Sequence, residues 1–423
     1  MKLDLGPTQL GVATAATQIE GGPADTNWHH WAADGHIKDG SSPERAADHW
    51  NRVEQDIALL SSLGIKHYRL GLEWARLEPT PGVFDGAAID HYRHELGLLR
   101  DAGITPLVTL HHFNNPWWLE RTGGWRAPGT IPVFIAYVRL ALSAFSDLVT
   151  DWITINEPNV YATQGYVFGD WPPGVKQPAQ GFTVMSHLAQ AHCRAYNLIH
   201  SLQPEARVGV AHHVRVFDPA NRLNPADRAG AASMEYLFQG ALIDAMSGGR
   251  FRPPLRGGPQ IGRGRYDDFL GLNYYTRSWV SGARQGTRPG APVNDLGWEV
   301  YPEGLTRLLT ELSQRHPGPV FITENGTADA ADAWRSRFLY DHWAAIQASG
   351  VPVERYYHWS FTDNWEWIEG EGPRFGLVEL DYQSQSRRPR ASAEFFADVI
   401  AHGGVTDEAY QRWVEPAEYH AAG

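Results

Sequence analysis

The 423-residue chain carries a single cysteine, Cys193. No intramolecular disulfide and no thiolate zinc centre can therefore form. Lysine is nearly as scarce. The four present, Lys2, Lys38, Lys66 and Lys176, follow Met, Ile, Ile and Val, so the Gly-Lys pair of a phosphate-binding loop is missing and that class of NTPase is excluded. Long apolar runs are absent as well. The best stretch, Val133 to Phe145, is broken by Arg139 and falls short of the roughly 18 apolar residues that signal a membrane helix. The first residues, Met1-Lys2-Leu3-Asp4-Leu5-Gly6-Pro7, set an acid and a proline where a signal peptide needs its apolar stretch. A soluble, cytoplasmic protein is expected. Positive charge is in deficit, with 36 Lys plus Arg against 48 Asp plus Glu and a net charge of −12. Repulsion from phosphates and anionic headgroups argues against nucleic-acid and membrane partners. The pairs His29-His30, His111-His112 and His212-His213, and His187 with His192, lack the i,i+4 spacing of a helical zinc motif. No metal is expected.

Core-forming residues, by contrast, are plentiful: 43% of the chain is hydrophobic and 12% aromatic, enough for a large core. Barrels of alternating strands and helices run longer than the usual domain as one unit, and no linker divides the chain. Between Asp48 and Leu63, apolar Trp50, Val53, Ile57 and Leu60 recur at helical spacing, and Gly64 follows where a left-handed C-terminal cap is wanted. The strand-like run Ile65 to Leu70 comes next. The same order of helix, glycine and strand returns at Asp101-Ala102-Gly103-Ile104 and at Ala348-Ser349-Gly350-Val351. Eight short runs read as strands: Leu10 to Ala13, His67 to Leu72, Pro106 to His111, Trp152 to Asn156, Val208 to His212, Asp268 to Asn273, Val320 to Glu324 and Arg355 to Trp359. Eight strands alternating with helices match a closed (β/α)8 TIM barrel better than an open doubly wound sheet. The expected architecture is α/β, one barrel domain over residues 1–423, with the Gly-, Pro- and Arg-rich stretch Gly248 to Gly264 as a loop before the sixth strand.

Active sites of such barrels lie at the C-terminal ends of the strands. Two of those ends are acidic. The fourth strand closes in Asn156-Glu157-Pro158 and the seventh in Glu324-Asn325-Gly326. One glutamate at a strand end is as easily a rim carboxylate as a functional group. Two, on strands that face each other across a narrow barrel, can converge, and a carboxylate pair is what glycoside hydrolysis requires. Asn325-Gly326-Thr327 also matches an N-glycosylation acceptor, a match read as accidental in a chain without a secretory signal.

Thr154-Ile155-Asn156-Glu157-Pro158 and Ile322-Thr323-Glu324-Asn325-Gly326 resemble the acid/base and nucleophile signatures of glycoside hydrolase family 1. The resemblance extends through Gln18-Ile19-Glu20-Gly21, Tyr68 to Arg76, Thr109 to Phe113, Asp268 to Tyr275, Gly297 to Pro302 and His358 to Trp367. It implies a retaining, exo-acting β-glycosidase, usually a β-glucosidase that also takes β-galactosides or β-fucosides. It further implies Glu324 as nucleophile and Glu157 as acid/base. Gln18, His112, Asn156, Glu366 and Trp367 would bind sugar hydroxyls, Trp359 would underlie the ring, and Arg69, Asn273 and Tyr275 would position the nucleophile. No cofactor is implied. The partner is a small β-glycoside or β-linked oligosaccharide, and Glu366, an acid where a sugar phosphate would be repelled, implies an unphosphorylated one. The oligomeric state is not specified.

Taken singly, Trp359 and Trp367 read as core, Arg69 as a structural ion pair and His112 as a core histidine. A transglycosidase with the same residues, or a non-catalytic sugar-binding barrel, stays open beside the hydrolase. The pattern departs from the family at His112-Phe113-Asn114-Asn115-Pro116 and at Phe361-Thr362, which leaves the shape of the leaving-group side open. Arg69 and Tyr275 are expected to hold the charge on Glu324, so that the proton shared by the pair resides mainly on Glu157.

Overall fold

A computed structural model describes residues 1–258 and 260–419. Eight parallel strands form its centre: β1 (Gln9–Ala13), β2 (His67–Gly71), β3 (Thr105–Thr109), β4 (Asp151–Asn156), β5 (Arg207–Pro219), β6 (Leu270–Ser281), β7 (Val320–Asn325) and β8 (Val353–Trp359). They pair in sequence order except that β8 returns to β1, and pairing of β5 with β6 completes the ring. All eight expected strands are thus present and close into a (β/α)8 barrel.

Helices cover the outside. They are α1 (Val53–Ser62), α2 (Gly86–Asp101), α3 (Thr130–Phe145), α4 (Pro178–Leu202), α5 (Pro225–Glu235), α6 (Glu303–Arg315), α7 (Arg335–Ser349) and α8 (Ala391–His402). Strands covered on one side by helices and on the other by the barrel interior are buried on both faces, and every residue of β2, β4 and β7 is buried, the polar Arg69, Asn156 and Glu324 included. The expected glycine caps hold: Gly64, Gly103 and Gly350 have φ of 71, 67 and 67°, values that cost glycine no Cβ strain. At the other end of α2, the Asp85 carboxylate accepts from the N–H groups of Ala87 and Ala88 at 2.8 and 3.1 Å.

Inside the barrel, Leu107, Ile153, Ala211, Phe321 and Tyr357 stack below Trp359. The stack is a packed plug. Below it Arg355 bonds Asp151, and the guanidinium groups of Arg207 and Arg355 each sit 4.9 Å from the Phe321 ring centre. This closes the bottom and leaves the upper end open for a site.

Two strands run longer than expected. The sequence reading ends the fifth at His212 and the sixth at Asn273, but β5 and β6 continue beyond the rim as a pair, from Val216 opposite Arg277 to Pro219 opposite Val280. Arg284–Gly286 adds an antiparallel strand to the tip of β6. His212-His213 and Arg215 interrupt the apolar run of the fifth strand. Past that point only alternate residues of β5 are buried, the mark of a strand with one face exposed. Of the stretch Gly248 to Gly264, Gly248 ends the helix Ala241–Gly248 and residues 249–258 and 260–264 form turns and irregular chain before β6, as expected; residue 259 lies outside the described residues.

Candidate active site

Glu157 stands at the first residue beyond β4, at φ 41° and ψ 58°. A non-glycine residue holds this left-handed conformation only where its surroundings impose it. Its N–H donates to the Ala211 carbonyl at 2.8 Å and its carbonyl accepts from Tyr161 N–H at 3.1 Å. Pro158 opens the helix Pro158–Ala162 at a position where no N–H is missed.

Glu324 lies within β7, and the chain beyond it passes β8 very closely. A Cβ on Gly326 would fall 1.8 Å from the Trp359 carbonyl oxygen. The glycine of the Glu324-Asn325-Gly326 motif is therefore a steric requirement for seating Glu324 next to Trp359.

These two carboxylates share a cavity of about 460 Å3 at the upper end of the barrel. Eight of the eleven expected site residues line it: Glu157, Glu324, Gln18, His112, Tyr275, Trp359, Glu366 and Trp367. Arg69, Asn156 and Asn273 are buried behind that wall and tie it together. Arg69 donates to Glu324 Oε1 at 2.5 Å, to the Asn156 amide oxygen at 2.7 Å and to the Thr323 carbonyl at 3.0 Å. The Tyr275 hydroxyl donates to Glu324 Oε2 at 2.5 Å. Asn273, expected to position the nucleophile, instead donates to Asn156 and to Glu157 Oε1, both at 3.0 Å, because its amide oxygen is taken by the Thr323 hydroxyl and its amide nitrogen faces the end of β4. One polar network thus links both glutamates.

The walls are suited to a sugar, with polar edges around aromatic faces. The His112 and Trp359 rings lie 5.9 Å apart and nearly parallel, as do those of His112 and Trp367. Asn156 Nδ2 donates to His112 Nε2 at 3.0 Å, so His112 carries its proton on Nδ1, which has no protein partner. Gln18 Nε2 donates to Asn364 at 2.8 Å and to Glu366 at 3.1 Å, while its Oε1 likewise has no protein partner. Buried polar atoms are almost always hydrogen-bonded, so a free donor and a free acceptor in this wall match the alternating donors and acceptors of sugar hydroxyls.

Electrostatics separate the three carboxyls. Burial is the largest influence on Glu324. The Arg69 guanidinium counters it, the charge on Glu157 adds to it, and the carboxyl is raised to about 7. Burial, with the charges on Glu324 and Glu157, pushes Glu366 up to about 8 against the Gln18 hydrogen bond. For Glu157 burial also acts upward, but His213, Asn273 and Arg69 outweigh it and hold the carboxyl below its usual range. The donors at Glu157 oppose the expected placement of the shared proton there, while Arg69 and Tyr275 at Glu324 favour it. The first of these donors is a contact that no motif announced: His213 Nδ1 lies 2.8 Å from Glu157 Oε1. Sequence reading gave the His212-His213 pair a structural or supporting role in place of metal ligation, without setting His213 beside Glu157. Had β5 been extended past the rim, His213 would have stood beside the end of β4, the one available signal.

The departures from the family pattern resolve by position. Phe113 lines the cavity. Asn114 and Asn115 do not; they serve buried networks, with Asn114 donating to Glu73 and Asn115 to Glu120 and Tyr161. Phe361 packs edge-on to Tyr68. Trp171, Phe238, Leu296 and Trp298 complete an outer wall in which polar Thr163, Gln164, Asp170 and Gln285 alternate with apolar groups. Among the described residues, no group of three or more His, Cys, Asp or Glu is arranged to hold a metal ion, and no helix is long and apolar enough to cross a membrane.

A barrel with two carboxyls joined through one network, beneath aromatic walls, defines a glycoside-processing enzyme. Comparison with known proteins is specific. The family profile described as Glycosyl hydrolase family 1 matches residues 9–256 and 260–405. Beta-glucosidase A of Thermotoga maritima is 32% identical, covering 94% of this chain and 97% of its own length. The structure of a beta-glycosidase from Pyrococcus horikoshii superposes with a TM-score of 0.88 at 34% identity, over 96% of this chain and 97% of that one. That of the Thermotoga maritima beta-glucosidase in complex with castanospermine also gives 0.88, at 31% identity over 95% and 99%. The chain belongs to glycosyl hydrolase family 1. It is a β-glycosidase acting on O-glycosyl bonds, and the retaining mechanism is general to that family.

Proposed function

We propose that the chain, acting as one catalytic barrel, removes terminal non-reducing β-D-glucosyl units from small unphosphorylated β-glycosides, with Glu324 as nucleophile and Glu157 as acid/base. The observation that carries this reading is the double anchoring of Glu324, by Arg69 on one oxygen and Tyr275 on the other, facing the same cavity as Glu157. The β-glucosidase names of the relatives support the choice of glucosides, and β-galactosides or β-fucosides fit the same chemistry.

Reaction starts from the form with charge on Glu324 and a proton on Glu157. Glu324 attacks the anomeric carbon as Glu157 passes its proton to the departing oxygen, releasing the aglycone and leaving a glycosyl ester on Glu324. Glu157, now ionised, takes a proton from water, whose oxygen attacks the same carbon and frees Glu324. Two inversions give net retention. Arg69 and Tyr275 stabilise the charge on Glu324 before attack and after release. Gln18, His112, Asn156, Glu366 and Trp367 bind hydroxyls around the Trp359 floor, while Asn273 braces Glu157 and Asn156.

The test is a pair of variants assayed on aryl β-glucosides. Glu324→Ala should abolish turnover. Glu157→Ala should keep activity on dinitrophenyl glucosides, whose leaving group needs no proton, and added azide should raise it by forming the β-glucosyl azide. Absence of both effects in Glu157→Ala refutes its assignment. Product analysis at high acceptor concentration separates hydrolysis from transfer.

A further inference from the structure

The reading of Glu157 as acid/base leaves open which of its oxygens carries the proton and what sets its acidity. His213 and Arg215, both on β5, answer both questions. His213 is 7% exposed. Its Nδ1 faces Glu157 Oε1 at 2.8 Å, and its Nε2 faces Arg215 Nη2 at 3.0 Å. A guanidinium has only donors to offer. His213 Nε2 must therefore accept, which makes the ring neutral with its hydrogen on Nδ1, directed at Glu157.

We infer that His213 and Arg215 form a positioning dyad for Glu157: Arg215 fixes the Nδ1–H tautomer of His213, and that N–H pins Glu157 Oε1, leaving Oε2 to carry the transferable proton. The proposal rests on the reading of Glu157 as acid/base. Asn273 donates to the same Oε1 at 3.0 Å, so this oxygen receives two donors and is the less basic of the two. Among the hydrogen bonds of the described residues none reaches Oε2.

Arg215 is itself held in place. Its backbone exchanges hydrogen bonds with the Gln239 side chain, at 3.0 Å from N–H and 3.2 Å to the carbonyl, and its guanidinium lies 5.2 Å from the Phe238 ring centre. The His213 ring stacks near Tyr275 at 6.0 Å. An imidazolium, which cannot accept, would lose the Arg215 contact and face a second cation. Burial, with Arg215 nearby, accordingly lowers the His213 pKa against the pull of Glu157.

The dyad biases the proton shared by the carboxyl pair. A donor on Oε1 favours ionised Glu157, making it a stronger acid toward the aglycone and a weaker base toward water. The other ionisable groups around Glu157 are Arg69 on β2, His112 after β3, Tyr275 on β6, Glu324 on β7 and Glu366 after β8, with Tyr274 of β6 nearer to Arg215. None of these donates to Oε1, so the effect of removing His213 is separable from theirs.

The pH profile of kcat/KM on an alkyl β-glucoside, a poor leaving group, tests the dyad in the full-length enzyme. His213→Ala should move the alkaline limb up by about one pH unit and lower kcat about tenfold, with little loss on a dinitrophenyl glucoside. His213→Asn, whose amide nitrogen can stand where Nδ1 stood, should restore the wild-type limb. If Ala leaves the limb in place, or Asn behaves like Ala, the donor role is overturned. Spectra of 15N-histidine-labelled enzyme, with His213→Asn identifying the signal, should show a neutral Nδ1–H ring at pH 7. In Arg215→Met an imidazolium signal should grow as pH falls. An Nε2–H ring or an imidazolium in the wild type, or no change in Arg215→Met, overturns the tautomer lock. Glu157→Gln, followed with an activated aryl glucoside whose leaving group needs no proton, distinguishes a failure of the acid/base reading from a failure of the dyad. If it retains the alkaline limb, Glu157 is not the acid and the underlying reading fails; if it loses the limb while His213→Ala leaves it unmoved, the dyad alone fails.

Discussion

Tyr275→Phe removes one oxygen atom and tests how Glu324 is held. The Tyr275 hydroxyl is the donor to Glu324 Oε2, at 2.5 Å, while Arg69 serves Oε1. Tyr275 is 8% exposed and Glu324 3% exposed, so water screens their contact little. A hydrogen bond to a charged group in such a place contributes about 1.5–3 kcal/mol, equivalent to about one to two pH units on the carboxyl. The bond lowers the Glu324 pKa against burial, so its loss raises a value already near 7. In a carboxyl pair that shares one proton, this draws the proton from Glu157 to Glu324 and depletes the reactive form. The expected result in a pH series with a dinitrophenyl β-glucoside is an acidic limb displaced upward by about one to two units and a kcat/KM at pH 6 lowered correspondingly, by about 10- to 100-fold. The ring remains, so the folded structure should persist by circular dichroism. An acidic limb at the wild-type position with kcat/KM within twofold would refute the claim that Tyr275 sustains the charge on Glu324.

Two further outcomes follow from the same structure. Gly326→Ala would set a Cβ against the backbone oxygen of Trp359, which no rotamer can relieve, whereas Gly97 in α2 has nothing within 4 Å of an added Cβ. Thermal denaturation should show Gly326→Ala strongly destabilised and Gly97→Ala unchanged or up to about 1 kcal/mol more stable. Glu324 has a folded pKa of about 7 against an ordinary 4.5. A group raised on folding favours the folded state below its unfolded pKa and loses that contribution as pH rises through the folded one. Denaturant titrations at pH 4.5 and pH 8 should therefore show the stability of Glu324→Gln relative to wild type improving by about 1–3 kcal/mol across that window; a difference independent of pH contradicts the raised value.

The barrel was legible because its grammar is local. A glycine in the left-handed region after each of three helices, and short buried strands, announce themselves within a few residues of sequence. Glu157 and Glu324 were legible because strand ends in such a fold point at the site. The long extension of β5 and β6 was not. Its alternating burial is a tertiary outcome, set by pairing between segments about sixty residues apart in sequence, as Val216 with Arg277 shows. His213 and Arg215 were hidden for the same reason, and with them the donor that opposes the expected proton on Glu157. Asn114 and Asn115 interrupt a family motif yet do not line the cavity, since their partners Glu73, Glu120 and Tyr161 come from other elements. Substitutions of that kind are read correctly only once the network they join is seen.

The central claim is a covalent glycosyl ester on Glu324, and trapping it is the most direct measurement. A 2-deoxy-2-fluoro-β-glucoside with a dinitrophenolate leaving group slows both steps by destabilising the oxocarbenium-like transition state, but its leaving group keeps the first step the faster. Mass spectrometry of the treated enzyme should show one added fluoroglucosyl unit, and peptide sequencing should place it on Glu324, with Tyr275→Phe labelled more slowly. A label on any other residue, or turnover with inversion of configuration and no label, would contradict the account.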